Sequence, residues 1–197
     1  VKNLTLCQFL NNLPKSCYNA TMNTRLVVTF ALIPYALWLI IDYQYHFIDG
    51  ANLLIHEGGH FLFNFLGNKF LMIAGGTIFQ LAVPVMFAIH LYMNGDLFGA
   101  GLCTFWTGES LIYSAVYIGD AMAQKLPLWG GGLHDWDYML RQTGLLLYCR
   151  EIALMVHIMG VALLLAGLFI AFRSALSPAT PEKTETEPSD DDEIFYL

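Results

Sequence analysis

Charge is scarce in this sequence: 13% of its 197 residues are Asp, Glu, Lys or Arg, against 56% that are hydrophobic. A soluble domain carries about a quarter of its residues charged, so the deficit excludes an ordinary water-soluble fold and points to a polytopic membrane protein. Basic residues are scarcer still, nine Lys and Arg in all, and they form no patch that could neutralise phosphates, which leaves nucleic acid without a binding surface. The formal charge of −7 is local, because seven of the sixteen acids fall between Glu182 and Glu193. Cysteine is limited to residues 7, 17, 103 and 149, none in C-x-x-C spacing. Cys103 and Cys149 fall in apolar stretches and read as small core residues, whereas Cys7 and Cys17 can pair only in an oxidising compartment. No basic, apolar, small-residue succession opens the chain at Val1, so insertion is expected to rely on the first spanning helix. There is no internal repeat, and the sequons at Asn3 and Asn19 are too common a pattern to carry weight.

What is present is a succession of apolar runs. Residues 1–24 form a polar arm, residues 25–173 an all-α bundle of about five hydrophobic segments, and residues 174–197 a Pro-containing acidic tail that is expected to be disordered. The segments are Leu26–Ile41 with Pro34 inside it, Ala51–Leu66, Phe70–Met93, Leu97–Ala121 and Trp136–Phe172. The second is short for a full crossing at about 1.5 Å per residue, so it is expected to stay inside the bundle. Turns are expected at Gly67-Asn68-Lys69 and Asn94-Gly95-Asp96, and Asp135 as the cap of the last helix. With five crossings, Lys2, Lys15, Arg25, Lys69, Lys125 and Arg141 fall on one side and Arg173 and Lys183 on the other. The excess of basic residues then puts the amino terminus in the cytoplasm and the tail across the membrane.

The chemistry concentrates in His56-Glu57-Gly58-Gly59-His60, inside the second apolar run. Histidines four apart on a helix share a face and can hold one Zn²⁺, and the adjacent glutamate can act as general base toward water. An unpaired glutamate in an apolar helix is costly and so points to function. Gly58-Gly59 implies close approach of another element. Gly75-Gly76, with Gln80 four positions on, suggests a face of the next helix packed against the metal helix, with Gln80 bonding either a substrate backbone or interhelical groups. Two acids interrupt the fourth run, Glu109 and Asp120. Zinc hydrolases need a third protein ligand and one open position. The candidates are Asp135, His134, which offers nitrogen, and Asp120, a carboxylate in an apolar helix.

These motifs resemble those of the site-2-protease-type intramembrane zinc metallopeptidases. There H-E-x-x-H is followed by a Gly-Pro-x-x-Asn-like stretch and by an L-P-x-x-P-L-D-G-G motif whose aspartate is the third ligand. His56-Glu57-Gly58-Gly59-His60 matches the first, Gly75 to Gln80 resembles the second, and Leu126-Pro127-Leu128 with Leu133-His134-Asp135 resembles the third. Gln80 stands where the family has Asn, and the glycines precede the acid instead of following it. The resemblance implies a zinc-dependent hydrolase acting on a peptide bond in or near the lipid bilayer, with a membrane-protein substrate. In that reading Glu57 is catalytic, His56, His60 and Asp135 are ligands, and Gly75, Gly76 and Gln80 bind substrate. A metal-ion-binding or transport protein, or a catalytically silent relative that binds a partner helix, is the alternative.

Overall fold

The computed structural model describes residues 15–43, 45–127 and 133–177. The expectations for Cys7, the sequon at Asn3, the glycines of 130–132 and the acidic tail fall outside the described residues, and those for Cys17 and Asn19 rest on side chains that are not described. Among the described residues there are six α-helices and no strand: α1 (Lys15–Ile41), α2 (Phe47–Asn64), α3 (Lys69–Met93), α4 (Leu97–Asp120), α5 (Asp135–Gln142) and α6 (Cys149–Leu176), with one 3-10 turn, Leu146–Tyr148, before the last. Three stretches are long and apolar enough to cross a membrane: Thr24–Ile41, Lys69–Met93 and Leu146–Leu176. Their outward faces carry large apolar side chains with no protein partner, Val27, Met93 and Leu147 among them, which a hydrocarbon solvent accommodates and water does not.

Local chemistry explains the helix ends. Gly67 and Gly95 take positive φ, +66° and +80°, in the two turns that the sequence marks. Asn68 then accepts from the Leu71 amide at 3.1 Å and Asp96 from that of Gly99 at 3.0 Å, so both helices start on a side-chain cap. The expected single helix Trp136–Phe172 is broken, because Gly144 adopts φ +72° and reverses the chain after α5. The cap of α5 is also not Asp135. His134 Nδ1 accepts from the Asp137 amide at 3.2 Å, which leaves Asp135 free in the first turn.

The frame is the antiparallel pair α4 and α6. A Cβ on Gly101 would meet the Ala171 backbone at 2.7 Å, and one on Gly108 the Leu164 nitrogen at 2.3 Å, so these backbones touch. Against this pair α1 buries Ala36 and Leu39 beside Phe105, Ile112 and Leu164. Its direction is fixed by three ring contacts: Arg25 over Phe98 at 5.2 Å, Phe30 on Phe172 at 6.3 Å and Tyr35 on Phe105 at 5.9 Å. Thus α1 runs parallel to α4, and its start lies at the same end of the bundle as the end of α6. Tight turns make α2 antiparallel to α3 and α3 antiparallel to α4, so α2 runs the same way as α1.

This differs from the five-crossing expectation. The chain does not reverse between α1 and α2, and the two are successive parts of one traverse. Arg25 and Arg173 therefore share one end, while Lys69, whose Nζ sits 5.0 Å over the Tyr138 ring of α5, lies at the other with Lys125 and Arg141. The count of basic residues that assigned the sides no longer separates them. The reason is physical: His46 and Asn52, at the start of α2, share a partner in Glu109, midway along α4, so the chain enters its next helix part-way along the bundle instead of beyond its end.

Candidate metal centre

Helix α2 presents His56 and His60 toward α3 and α5. Close approach is possible because Gly76 of α3 faces them: a Cβ there would lie 2.6 Å from His56 Nε2 and 2.6 Å from His60 Cε1. Gly59 is in turn pressed on α3, where an added Cβ would meet the Gly75 carbonyl oxygen at 2.3 Å. The expected glycine contact between the two helices is therefore present, and Gly75 and Gly76 are buried in it.

Each imidazole is oriented through its Nδ1. His56 Nδ1 is 3.2 Å from Gln80 Oε1 and His60 Nδ1 is 2.9 Å from the Met72 carbonyl. Both partners are acceptors, so both Nδ1 atoms carry hydrogen, a tautomer inferred from the network. Both Nε2 atoms then point at one atom: Asp135 Oδ2 lies 2.9 Å from His56 Nε2 and 3.3 Å from His60 Nε2. Two lone pairs facing a carboxylate oxygen repel unless protons or a cation lie between them. Ligands at about 2.0–2.1 Å from zinc in a tetrahedron are themselves about 3.3 Å apart, so the three atoms fit a Zn²⁺. Burial works to raise the Asp135 pKa, but its contacts with His56 and His60 outweigh burial, and the carboxyl stays below its ordinary value and charged.

The centre opens onto a cavity of about 910 Å³. Its wall carries Glu57, Gln80, Thr77 and Ser114, the phenols of Tyr43, Tyr45, Tyr113 and Tyr117, and apolar groups including Leu53, Ile73 and Pro127. Glu57 is exposed to this space. Gln80 is 1% exposed and its amide nitrogen lies 3.4 Å from the Ser110 carbonyl and 3.4 Å from Ser114 Oγ. It thereby fixes which end of the amide faces His56.

The other two ligand candidates lie elsewhere. Asp120 accepts from the Lys125 and Leu126 amides at 2.9 Å each and so ties down the loop after α4. His134 stacks on Tyr117 at 4.2 Å, and burial holds its pKa below the ordinary value. Its Nε2 is 3.7 Å from Asp120 and is not among the atoms that converge with His56 and His60.

A second polar cluster escaped the sequence reading. His46, Asp49 and Glu109 offer atoms within 4.8 Å of one another, and Asn52 links them toward the centre. Asn52 donates to both oxygens of Glu109, at 3.1 and 2.8 Å, and accepts from Trp106 at 2.8 Å and Ser110 at 3.1 Å. A signal was available, since Asp49, Asn52 and His56 recur at intervals of three and four in an otherwise apolar helix and so share its inner face. Comparison of the chain with protein-family models, with curated proteins and with solved structures finds no match, so the functional reading rests on this geometry.

Proposed function

We propose that the protein is a membrane-embedded, zinc-dependent hydrolase that cleaves a peptide bond in or near the bilayer. One observation carries this: His56 and His60, each with Nδ1 engaged by an acceptor, aim both Nε2 atoms at Asp135 Oδ2 on the wall of a cavity that also holds Glu57. His56, His60 and Asp135 would hold the ion, with Gln80 and the Met72 carbonyl fixing the rings. Bound zinc supplies Lewis acidity and makes water acidic near neutral pH. Glu57 takes the proton from the attacking water and delivers it to the leaving amine. The phenols and apolar side chains of the cavity receive the substrate backbone and exclude bulk water.

A transported metal is the competing reading, and the His46, Asp49 and Glu109 group favours it, because a permeation path needs a second set of ligands. Metal analysis of detergent-purified protein, with turnover of a membrane-spanning peptide, separates the two. Hydrolysis that depends on Glu57 supports the enzyme. Zinc flux into vesicles without any cleavage overturns it.

A further inference from the structure

We propose that His46, Asp49 and Glu109 form a second divalent-cation site at the break between α1 and α2, independent of the His56, His60 and Asp135 centre and of whether that centre hydrolyses anything. Asp49 and Glu109 are 0% and 1% exposed, and among the described residues their only ion-pair partner is His46. Beyond each other, their side-chain partners are neutral: the Tyr43 hydroxyl donates to Asp49 and the Asn52 amide to Glu109. His46 Nδ1 is 2.7 Å from Asp49 Oδ2, while its Nε2 lies 3.9 Å from Glu109 Oε1 and is hydrogen-bonded to the Tyr35 hydroxyl, so Nδ1 is the nitrogen that a cation would share with the carboxylates. With a neutral imidazole and both acids ionised, this pocket would hold two negative charges and nothing positive. A divalent cation cancels both, which a single imidazolium does not.

The chain path adds an independent reason. Helix α1 stops at Ile41, part-way along the bundle, and the last carbonyls of a helix form the negative end of its dipole. The Trp38 ring, in that last turn, sits 5.4 Å from the His46 ring, so the last turn of α1 borders the cluster. The positive start of α2 is already taken, since Asp49 Oδ2 accepts from the His46 amide at 2.8 Å. Interrupted helices in membrane bundles use such ends for cations. Tyr35, Trp38 and Tyr43 enclose the imidazole at 5.4, 5.4 and 5.8 Å, which fixes its position. One nitrogen and two carboxylates is a harder donor set than the two nitrogens and one carboxylate of the first centre, and it suits an oxygen-preferring ion of the Mn²⁺ class. Tyr43 also lines the main cavity and gives the ion a route in.

The test is metal content of the full chain in detergent, stripped and refilled with Mn²⁺ alone or Zn²⁺ alone. The His56→Ala, His60→Ala double variant is expected to retain one Mn²⁺ per chain. Adding Glu109→Gln, or separately Asp49→Asn, is expected to weaken that binding by more than about 100-fold. Both changes are near-isosteric and keep an acceptor for Asn52 or the His46 amide, and a thermal melt reports whether each variant folds. Mn²⁺ should raise the melting temperature of the double variant and leave that of the triple variant unmoved. The proposal is overturned if the double variant holds neither ion, which would mean that protons alone balance the two carboxylates, or if it keeps the ion after both carboxylate changes. Equal metal in the parent and the double variant would instead count against the first centre while leaving this one standing.

Discussion

At Glu57 the roles of base and ligand separate by a single atom. On the proposed reading Glu57→Gln keeps the zinc, because the side chain is not among the converging ligand atoms, and lowers hydrolysis by roughly 10² to 10⁴, the usual worth of a positioned acid–base group. Parallel metal analysis and peptide turnover check this, and a variant as fast as the parent would refute the general base. Asp135→Ala should lose the zinc, whereas His134→Ala and Asp120→Ala should keep it, since those side chains pair with Tyr117 and with the loop amides. Gln80 has a different part. It reaches His56 through an acceptor oxygen and is buried, so Gln80→Leu leaves Nδ1–H without a partner and should weaken zinc binding by about 10- to 100-fold. A competition titration with a chelator measures it, and unchanged affinity would mean that His56 is held by Asp135 alone.

Among the elements, α2 and α3 depend on each other through glycines that are not equivalent. A Cβ at Gly76 would lie within 2.6 Å of the imidazoles, whereas one at Gly58 meets only Phe79, at an ordinary 3.8 Å. Gly76→Ala should therefore cost about 1–3 kcal/mol by overpacking and displace both ligands, while Gly58→Ala should be neutral or gain up to about 1 kcal/mol of helix propensity. Thermal melts and zinc content of the two variants decide it; equal behaviour would mean the helices are not packed this tightly. The sequence made much of this legible, because H-E-x-x-H spacing, turn glycines and long apolar runs act over a few residues. The glycine turn at 144 escapes a sequence reading because the run before it, Trp136 to Thr143, is too short and too mixed to stand out as a helix separate from the apolar run that follows. The shared inner face of Asp49, Asn52 and His56 is legible in their spacing, but the pairing with Glu109, 57 residues beyond Asn52, is not, because no local pattern in a single chain reports it.

On the scale of the whole molecule, the direction of α1 is the property most open to test. Arg25 on Phe98 and Phe30 on Phe172 put the start of α1 and the end of α6 at one end of the bundle. Single cysteines introduced at the two chain termini, in a background with Cys7, Cys17, Cys103 and Cys149 replaced, should react alike with an impermeant reagent in sealed vesicles. Protection of one terminus and labelling of the other would restore an odd number of crossings. Charge counting alone could not settle this, since it presumes that each apolar segment crosses once, and α1 with α2 breaks that premise.

The bend between α1 and α2 also has a consequence for biosynthesis. Helix α2 leaves the ribosome well before α4, yet the side chains that satisfy His46 and Asn52 include Glu109, Trp106 and Ser110 on α4. Until those arrive, its first two turns hold polar groups that lipid does not solvate. The amino-terminal half must therefore wait at the insertion machinery or the membrane surface and enter its final place only after the later helices have been made. A nascent chain halted after Met93 should accordingly leave α2 open to water-soluble thiol reagents, and one released after Leu176 should close it.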